Sequence, residues 1–169
     1  MVLGLSISTF TLVHVIISLI GIVSGIVVMF GMLGSNRLAG LTALFLVTTV
    51  LTSATGFLFP FSGVTPALVV GIISLVILAI ALFALYARHL GGSWRGIYVV
   101  TALMALYLNC FVLVVQSFQK LSFLQPLAPT QSEPPFLIAQ GALLLVFLVL
   151  GFVAVRLFHP ERNVIAAAA

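Results

Sequence analysis

The chain has 169 residues, of which 63% are hydrophobic and only 5% are Asp, Glu, Lys or Arg. A soluble domain carries about 25% charged residues, so this composition excludes a water-facing surface. The formal net charge of +4 comes from six cations set against two anions. Because these cations form no basic cluster, the chain lacks a phosphate-tracking surface, and we expect no nucleic-acid partner.

Long apolar runs between the few charges predict five membrane-spanning helices. Each run is long enough to cross a hydrocarbon core of about 30 Å, so the lipid bilayer is the first predicted partner. The fold class is therefore all-α, a polytopic transmembrane helical bundle that forms a single transmembrane domain over residues 1–169. The predicted spans cover residues 9–32, 40–59, 66–87, 96–118 and 136–157.

The connections follow in chain order. Arg37 lies in the short loop after the first span. Pro60 follows the second span, as expected of a residue that cannot continue the helical hydrogen-bond ladder, and Pro66 suits the first turn of the third. Residues 88–95 then lead into the fourth span. The longest loop, at residues 119–135, contains four prolines and precedes the fifth span.

The cations predict the orientation of the bundle. With five spans, the loops after the first and third spans share one side with the C-terminal tail. That side holds Arg37, Arg88, Arg95, Arg156 and Arg162, whereas the opposite side holds only Lys120. The positive-inside rule places the arginine-rich side in the cytoplasm, so we predict that the N-terminus and the proline-rich loop lie outside. The first span is interpreted as uncleaved, because no basic residue precedes it.

Polar side chains within the spans collect in the outer half of the predicted bundle. Such side chains face helix partners, a cavity or a ligand. We predict a polar pocket, capped by the loop at residues 119–135, that orients the head group of a quinone or lipid. Its candidate ligand-binding residues are His14, Ser18, Thr48, Thr52, Asn109, Gln116 and Gln140. The alternatives are hydroxyls bonded to their own backbone, amides that join helices, and an interface with another subunit.

His14 is the only imidazole within a predicted span. It could hydrogen-bond a quinone carbonyl, or a Thr or Asn of a neighbouring helix. A haem held by two histidines is disfavoured, because His89 and His159 lie at the opposite boundary. A zinc site needs three or four ligands, and the outer half offers only His14, Glu133 and Cys110, so no metal site is predicted. No cofactor is predicted beyond a possible quinone or lipid.

Two packing features stand out. Gly21 and Gly25 form a G-x-x-x-G motif, which permits close helix packing either inside the bundle or between two copies. Tyr107 and Asn109 put polar groups on two faces of the fourth span. Because a membrane helix turns polar groups away from lipid, the fourth span is expected inside the bundle.

Recognisable catalytic chemistry is missing from the sequence. It contains no nucleophile elbow, P-loop, HExxH, CxxC or dinucleotide fingerprint. Asp is absent, and Glu133 and Glu161 lie outside the membrane on opposite sides, so they cannot form an acid–base pair. No catalytic residue is therefore predicted.

We favour a non-catalytic accessory or assembly subunit of a larger membrane complex, which implies other membrane subunits or self-association as partners. The alternative is a lipophile-binding protein that uses the outer pocket. A small transporter is the third hypothesis, weakened because the spans lack ionisable residues at the bilayer midplane and broken helices.

The chain resembles the small polytopic inner-membrane proteins of bacteria. The resemblance rests on the stretch APTQSEPP at residues 128–135, which follows the helix that carries Asn109 and Gln116. It implies the bacterial inner membrane as the location and implies no activity.

Overall fold

The structure is a computed structural model that describes Val2, residues 4–60, Gly63 and residues 66–160. Arg162 and Glu161 lie outside the described residues. Five long helices run through the described part: α1 (Ile7–Leu33), α2 (Ala39–Gly56), α3 (Pro66–Leu82), α4 (Trp94–Lys120) and α5 (Pro134–Leu157). α3 continues into a π-helical turn, Phe83–Ala87, and with that turn all five are long and apolar enough to cross a membrane. The predicted all-α transmembrane bundle with five spans is confirmed.

The ends of the helices have local causes. Ser6 begins α1, because its Oγ accepts a hydrogen bond from the backbone N–H of Thr9 at 3.1 Å and so satisfies one of the unpaired first-turn donors. α2 ends at Gly56, three residues before the predicted end. There the backbone N–H of Phe57 bonds to the carbonyl of Ala54 and tightens the last turn. We call the end of the bundle that carries the start of α1 the outer end, after the predicted orientation.

α4 is the central helix. It packs against α1, α2, α3 and α5, whereas α3 and α5 share no packed interface within the described residues. Its inward side chains are almost fully covered, each no more than 1% exposed: Tyr98, Val99, Ala102, Ala105 and Leu106. The prediction that the fourth span lies inside the bundle is therefore confirmed.

Gly21 and Gly25 bring α1 close to α2 and α4. A side chain on Gly25 would place its Cβ 2.6 Å from Cδ1 of Leu106 on α4 and 2.8 Å from the ring of Phe45 on α2. A Cβ on Gly21 would lie 3.1 Å from Oγ1 of Thr48. The G-x-x-x-G motif thus serves a contact inside the bundle.

The inner end is tied together by side chains that bond to the backbone. Arg95, in the first turn of α4, donates from Nη1 to the carbonyls of Val155 at 3.0 Å and Phe158 at 2.5 Å. These carbonyls close α5, where backbone acceptors lack a partner within the helix and a cation is favoured. Oγ of Ser35, in the loop after α1, accepts from the backbone N–H of His159 at 2.8 Å. Three segments far apart in sequence therefore meet at one point.

Candidate functional site

His14 joins α1 to α2 near the outer end. Its Nδ1 lies 2.8 Å from Oγ1 of Thr55, and its ring meets the ring of Phe59 edge-on, with 5.2 Å between the ring centroids. His14 shares a helix face with Gly21 and Gly25, which are buried, yet His14 is only half-buried. The bundle is therefore more open at the level of His14 than two turns further inward.

α4 shows the same change along its length. Nδ2 of Asn109 donates to Oγ1 of Thr49 at 3.3 Å, and a Cβ on Gly21 would lie 3.7 Å from that Nδ2. Four and seven residues further outward on the face of Asn109, both Leu113 and Gln116 are exposed. The face of α4 that is covered at Asn109 is thus open above it.

The depth of Gln116 follows from the helix geometry. Gly21 lies next to Asn109 while Gly25 lies next to Leu106, so α1 and α4 run in opposite directions. His14 is seven residues outward from Gly21, and Gln116 is seven residues outward from Asn109. Each step is about 10.5 Å of helix rise, which places both side chains at a similar depth.

Three hydroxyls at intermediate depth have no hydrogen-bond partner among the described residues. Oγ1 of Thr52 is a buried atom without one, and Ser53 and Ser74 are only 7% and 3% exposed with none. Thr48 and Thr55 on the same helix as Thr52 instead donate to the carbonyl four residues earlier, the usual arrangement of a hydroxyl in a membrane helix. A buried polar group left unpaired costs about 1–3 kcal/mol. Among these three hydroxyls, Oγ1 of Thr52 is the buried atom that carries this cost.

Ser53 and Ser74 belong to neighbouring helices at the same level. A Cβ on Gly71 of α3 would lie 3.1 Å from the ring of Phe57, which aligns the outer parts of α2 and α3. Ser74 is three residues inward from Gly71, and Ser53 is four residues inward from Phe57. We name this region the outer cleft, and its residues are His14, Thr52, Ser53, Ser74, Asn109, Leu113 and Gln116.

The remaining predicted residues have other surroundings. Oγ of Ser18 donates to the carbonyl of His14 at 2.7 Å, so this hydroxyl is bonded to its own helix. Nε2 of Gln140 donates to the carbonyl of Phe111 at 3.2 Å, on the side of α4 opposite Asn109. Gln140 therefore lies between α4 and α5 and is not brought together with the outer cleft. Its Oε1 is buried without a partner.

The loop before α5 is fastened to the α5 side of α4 rather than across the outer cleft. Nε2 of Gln131 donates to the carbonyl of Val115 at 3.1 Å. Ala128 is 1% exposed and packs with Phe118 and Phe136. These contacts differ from the predicted cap over a polar pocket, because they follow the side of α4 that turns toward α5.

Glu133 orders the last turn of this loop. Its carboxylate accepts from the backbone N–H groups of Thr130 and Ser132, each at 3.1 Å, and from Oγ1 of Thr130 at 2.9 Å. Desolvation acts to raise the pKa of Glu133, but the hydrogen bonds from Thr130 and Ser132 outweigh it and hold the pKa below its usual value.

Several residues of the outer cleft and its surroundings were missing from the predicted site. Thr55 and Thr49 are the partners of His14 and Asn109. Ser53 and Ser74 are buried residues of α2 and α3. The sequence did contain one signal for Ser74, because it is the only hydroxyl residue in the helix α3.

Metal ligands do not gather in this part of the chain. Within the described ranges, no group of three or more His, Cys, Asp or Glu side chains is arranged to hold a metal ion. Cys110 is a buried free thiol. No protein-family model, curated protein or solved structure matches the chain.

Proposed function

We propose that this multi-pass membrane protein binds a lipophile, a quinone or another lipid, through the outer cleft. The proposal is supported by the buried unpaired hydroxyl of Thr52, by the buried residues Ser53 and Ser74, and by the face of α4 that is exposed outward of Asn109. The polar head of an amphiphile would give these groups the hydrogen bonds that the protein does not supply. An apolar wall around a few convergent polar groups is the usual form of a small-molecule site.

The depth of each side chain suggests its role. Asn109 forms the floor, where α1 and α4 are still in contact. His14 and Gln116 lie about two turns further out, at the mouth of the cleft. Leu113, which is 39% exposed between these levels, offers an apolar surface to the tail of the ligand. A ligand would thus place its head among the hydroxyls and leave its tail toward the bilayer.

Retention of a small molecule tests this function. In the double variant His14→Leu with Asn109→Leu, native mass spectrometry of protein extracted gently from its own membrane should show loss of the co-purifying lipophile. The matched control is His89→Leu with Gln119→Leu, which removes the same two kinds of side chain at exposed positions outside the cleft. The proposal fails if the folded double variant retains as much lipophile as the control.

We also propose a second candidate function, that of an accessory or assembly subunit of a larger membrane complex. It is favoured by α5, because only 6% of an 18-residue apolar stretch of this helix is buried, against 33–44% of the corresponding stretches in the other four spans. The most exposed large apolar side chains of α5 form a broad apolar face, each at least 61% exposed: Ile138, Leu145, Leu148 and Phe152. Lipid also covers such a face, so the two situations need an experiment to separate them.

A bulky substitution distinguishes a protein partner from lipid. Leu148→Trp should dissociate a complex docked on α5, because the larger ring disturbs helix packing but is accepted by lipid. Val23→Trp is the control, since Val23 is 62% exposed on α1. The readout is the apparent mass on a native gel after mild extraction. Migration of the unmodified protein as a bare monomer would count against the subunit function.

We propose the bacterial inner membrane as the location, with the N-terminus outside and the C-terminus in the cytoplasm. Arg37, Arg88 and Arg156 are exposed at one end of the bundle, and Lys120 is exposed at the other. This distribution supports the orientation through the positive-inside rule. The resemblance to small bacterial membrane proteins supports the compartment.

A further inference from the structure

The hydrogen-bond network around Thr55 determines which nitrogen of His14 carries the proton. Oγ1 of Thr55 lies 2.6 Å from the carbonyl oxygen of Leu51 and 2.8 Å from Nδ1 of His14. A hydroxyl has one hydrogen, and a carbonyl oxygen can only accept. The hydroxyl therefore donates to Leu51, and Nδ1 of His14 must be the donor to Thr55.

The opposite arrangement is unfavourable. If Thr55 donated to Nδ1, its oxygen would face the carbonyl of Leu51 at 2.6 Å without a hydrogen between the two lone-pair-bearing atoms. The backbone of α2 thus sets the tautomer of His14 through Thr55. Because a charge within a membrane span is costly, the imidazole is considered in its neutral form.

A neutral imidazole protonated on Nδ1 has a lone pair on Nε2. Nε2 of His14 has no hydrogen-bond partner among the described residues, and the side chain is only half-buried. His14 lies on the face of α1 that meets α4 further inward, at the depth of the exposed Gln116. The outer part of α1 therefore carries, at the depth of the mouth of the outer cleft, a hydrogen-bond acceptor that lacks a donor among the described residues.

We infer that the outer cleft takes a lipophile whose head group donates a hydrogen bond, such as a hydroquinone, in preference to the corresponding quinone. This inference rests on the proposed lipophile-binding function and specifies the chemical class of the ligand. A quinone carbonyl has only lone pairs and would face the lone pair on Nε2. A hydroquinone hydroxyl donates to Nε2 and still accepts from the hydroxyls or the amide deeper in the cleft.

Three probes that share the same carbon skeleton and tail separate these cases. They are a decyl-substituted hydroquinone, its quinone and its dimethyl ether. Their dissociation constants would be measured on the purified full-length chain in detergent, with the hydroquinone kept reduced under argon. The hydroquinone should bind about tenfold more tightly than either of the other two, as expected when a polar atom in a site gains or loses its partner.

Two variants assign this preference to His14. His14→Leu removes the acceptor and should make the three dissociation constants equal. Thr55→Val keeps the shape of the side chain but removes the oxygen that holds the proton on Nδ1, so the preference should narrow. Thr55→Val also provides the test if His14→Leu does not fold. His89→Leu, at an exposed position outside the cleft, should retain the full preference.

The outcomes distinguish the inference from the function on which it rests. Tighter binding of the hydroquinone that is lost in His14→Leu supports both. Equal binding of the three probes, tighter binding of the quinone, or a preference unchanged in both His14→Leu and Thr55→Val overturns the inference and leaves lipophile binding intact. If the folded protein binds none of the three probes, this result contradicts the proposed function and the inference with it.

Discussion

Gly21 and Asn109 face each other across the interface between α1 and α4, where a Cβ on the glycine would lie 3.7 Å from Nδ2 of the amide. Inward of this pair, Gly25 lets the two helices pack closely. Outward of it, Leu113 and Gln116 on the same face of α4 are exposed. The pair therefore marks the level at which a closely packed bundle becomes an open one.

Substitution of the two glycines should have unequal effects on stability. Gly25→Ala should lower the free energy of unfolding by about 1–3 kcal/mol, because the new methyl group must displace Leu106 and Phe45. Gly21→Ala should cost less, since its nearest neighbour would be the hydroxyl oxygen of Thr48 at 3.1 Å. Reversible unfolding in mixed detergent micelles measures both.

Gly141→Ala is the control for this pair, because a Cβ there would have nothing within 4 Å. Alanine is favoured over glycine inside a helix by about 0.5–1 kcal/mol, so this variant should be neutral or slightly more stable. If Gly25→Ala is no less stable than Gly141→Ala, the close contact of α1 with α2 and α4 is wrong.

Substitution of Arg95 should lower the free energy of unfolding by weakening the contacts at the inner end of the bundle. Arg95→Gln removes the charged guanidinium that donates to the carbonyls of Val155 and Phe158. These bonds involve a charged donor, so the expected loss is about 1.5–3 kcal/mol in the free energy of unfolding. Arg37→Gln removes one cation from the same side of the membrane at an exposed position and should change stability little. Equal unfolding midpoints for the two variants would contradict a structural role of Arg95.

The hydrogen bonds that Glu133 accepts in the loop before α5 should be lost at acidic pH. Its pKa is held below the usual 4.5, so the stabilisation from its hydrogen bonds is present above that value and is lost as the pH falls through the lowered pKa. The backbone amide signals of Thr130 and Ser132 in NMR spectra should therefore shift in a single titration with a midpoint below 4.5. Glu133→Gln should abolish the titration, and a midpoint at or above 4.5 in the native protein would disprove the proposed bonding.

Chemical labelling tests the orientation. Gln119→Cys and His89→Cys place single new thiols at exposed positions near opposite ends of the bundle, while the native Cys110 is buried. A membrane-impermeant maleimide added to intact cells should label position 119 and leave position 89 unlabelled until the membrane is permeabilised. The reverse pattern would show that the N-terminus lies in the cytoplasm.

The five spans could be predicted because a helix that crosses the hydrocarbon core of a bilayer needs a long apolar run, and the few charged residues of this chain separate such runs. The end of α2 was predicted three residues late, since Phe57, Leu58 and Phe59 are apolar and the tight turn at Ala54 has no signature in hydropathy. The start of α1 was predicted two residues late. Ser6 begins this helix because its Oγ accepts a hydrogen bond from the backbone N–H of Thr9, and hydropathy does not reveal such a bond.

The site was less predictable than the spans. Periodicity groups the residues on one face of a helix, but it does not tell which helix lies opposite. A Thr or Asn partner for His14 was among the expectations, whereas the choice of Thr55 depends on α2 being the neighbour of α1 at that depth. Gln140 was grouped with Asn109 by depth alone, and the structure separates them because α5 lies on the other side of α4.

The hydrogen bonds of Arg95 hold the inner end of α4, so a change in the tilt of this helix moves its outer end most. Arg95 is held by two carbonyls, and Gln116 lies 21 residues further along, about 31 Å away at 1.5 Å per residue. A tilt of about 5° at the fastened end would move the far end by about 3 Å. Such a tilt at the inner end would widen or narrow the opening at the outer end, and it would require the buried side chains of α4 between these ends to repack.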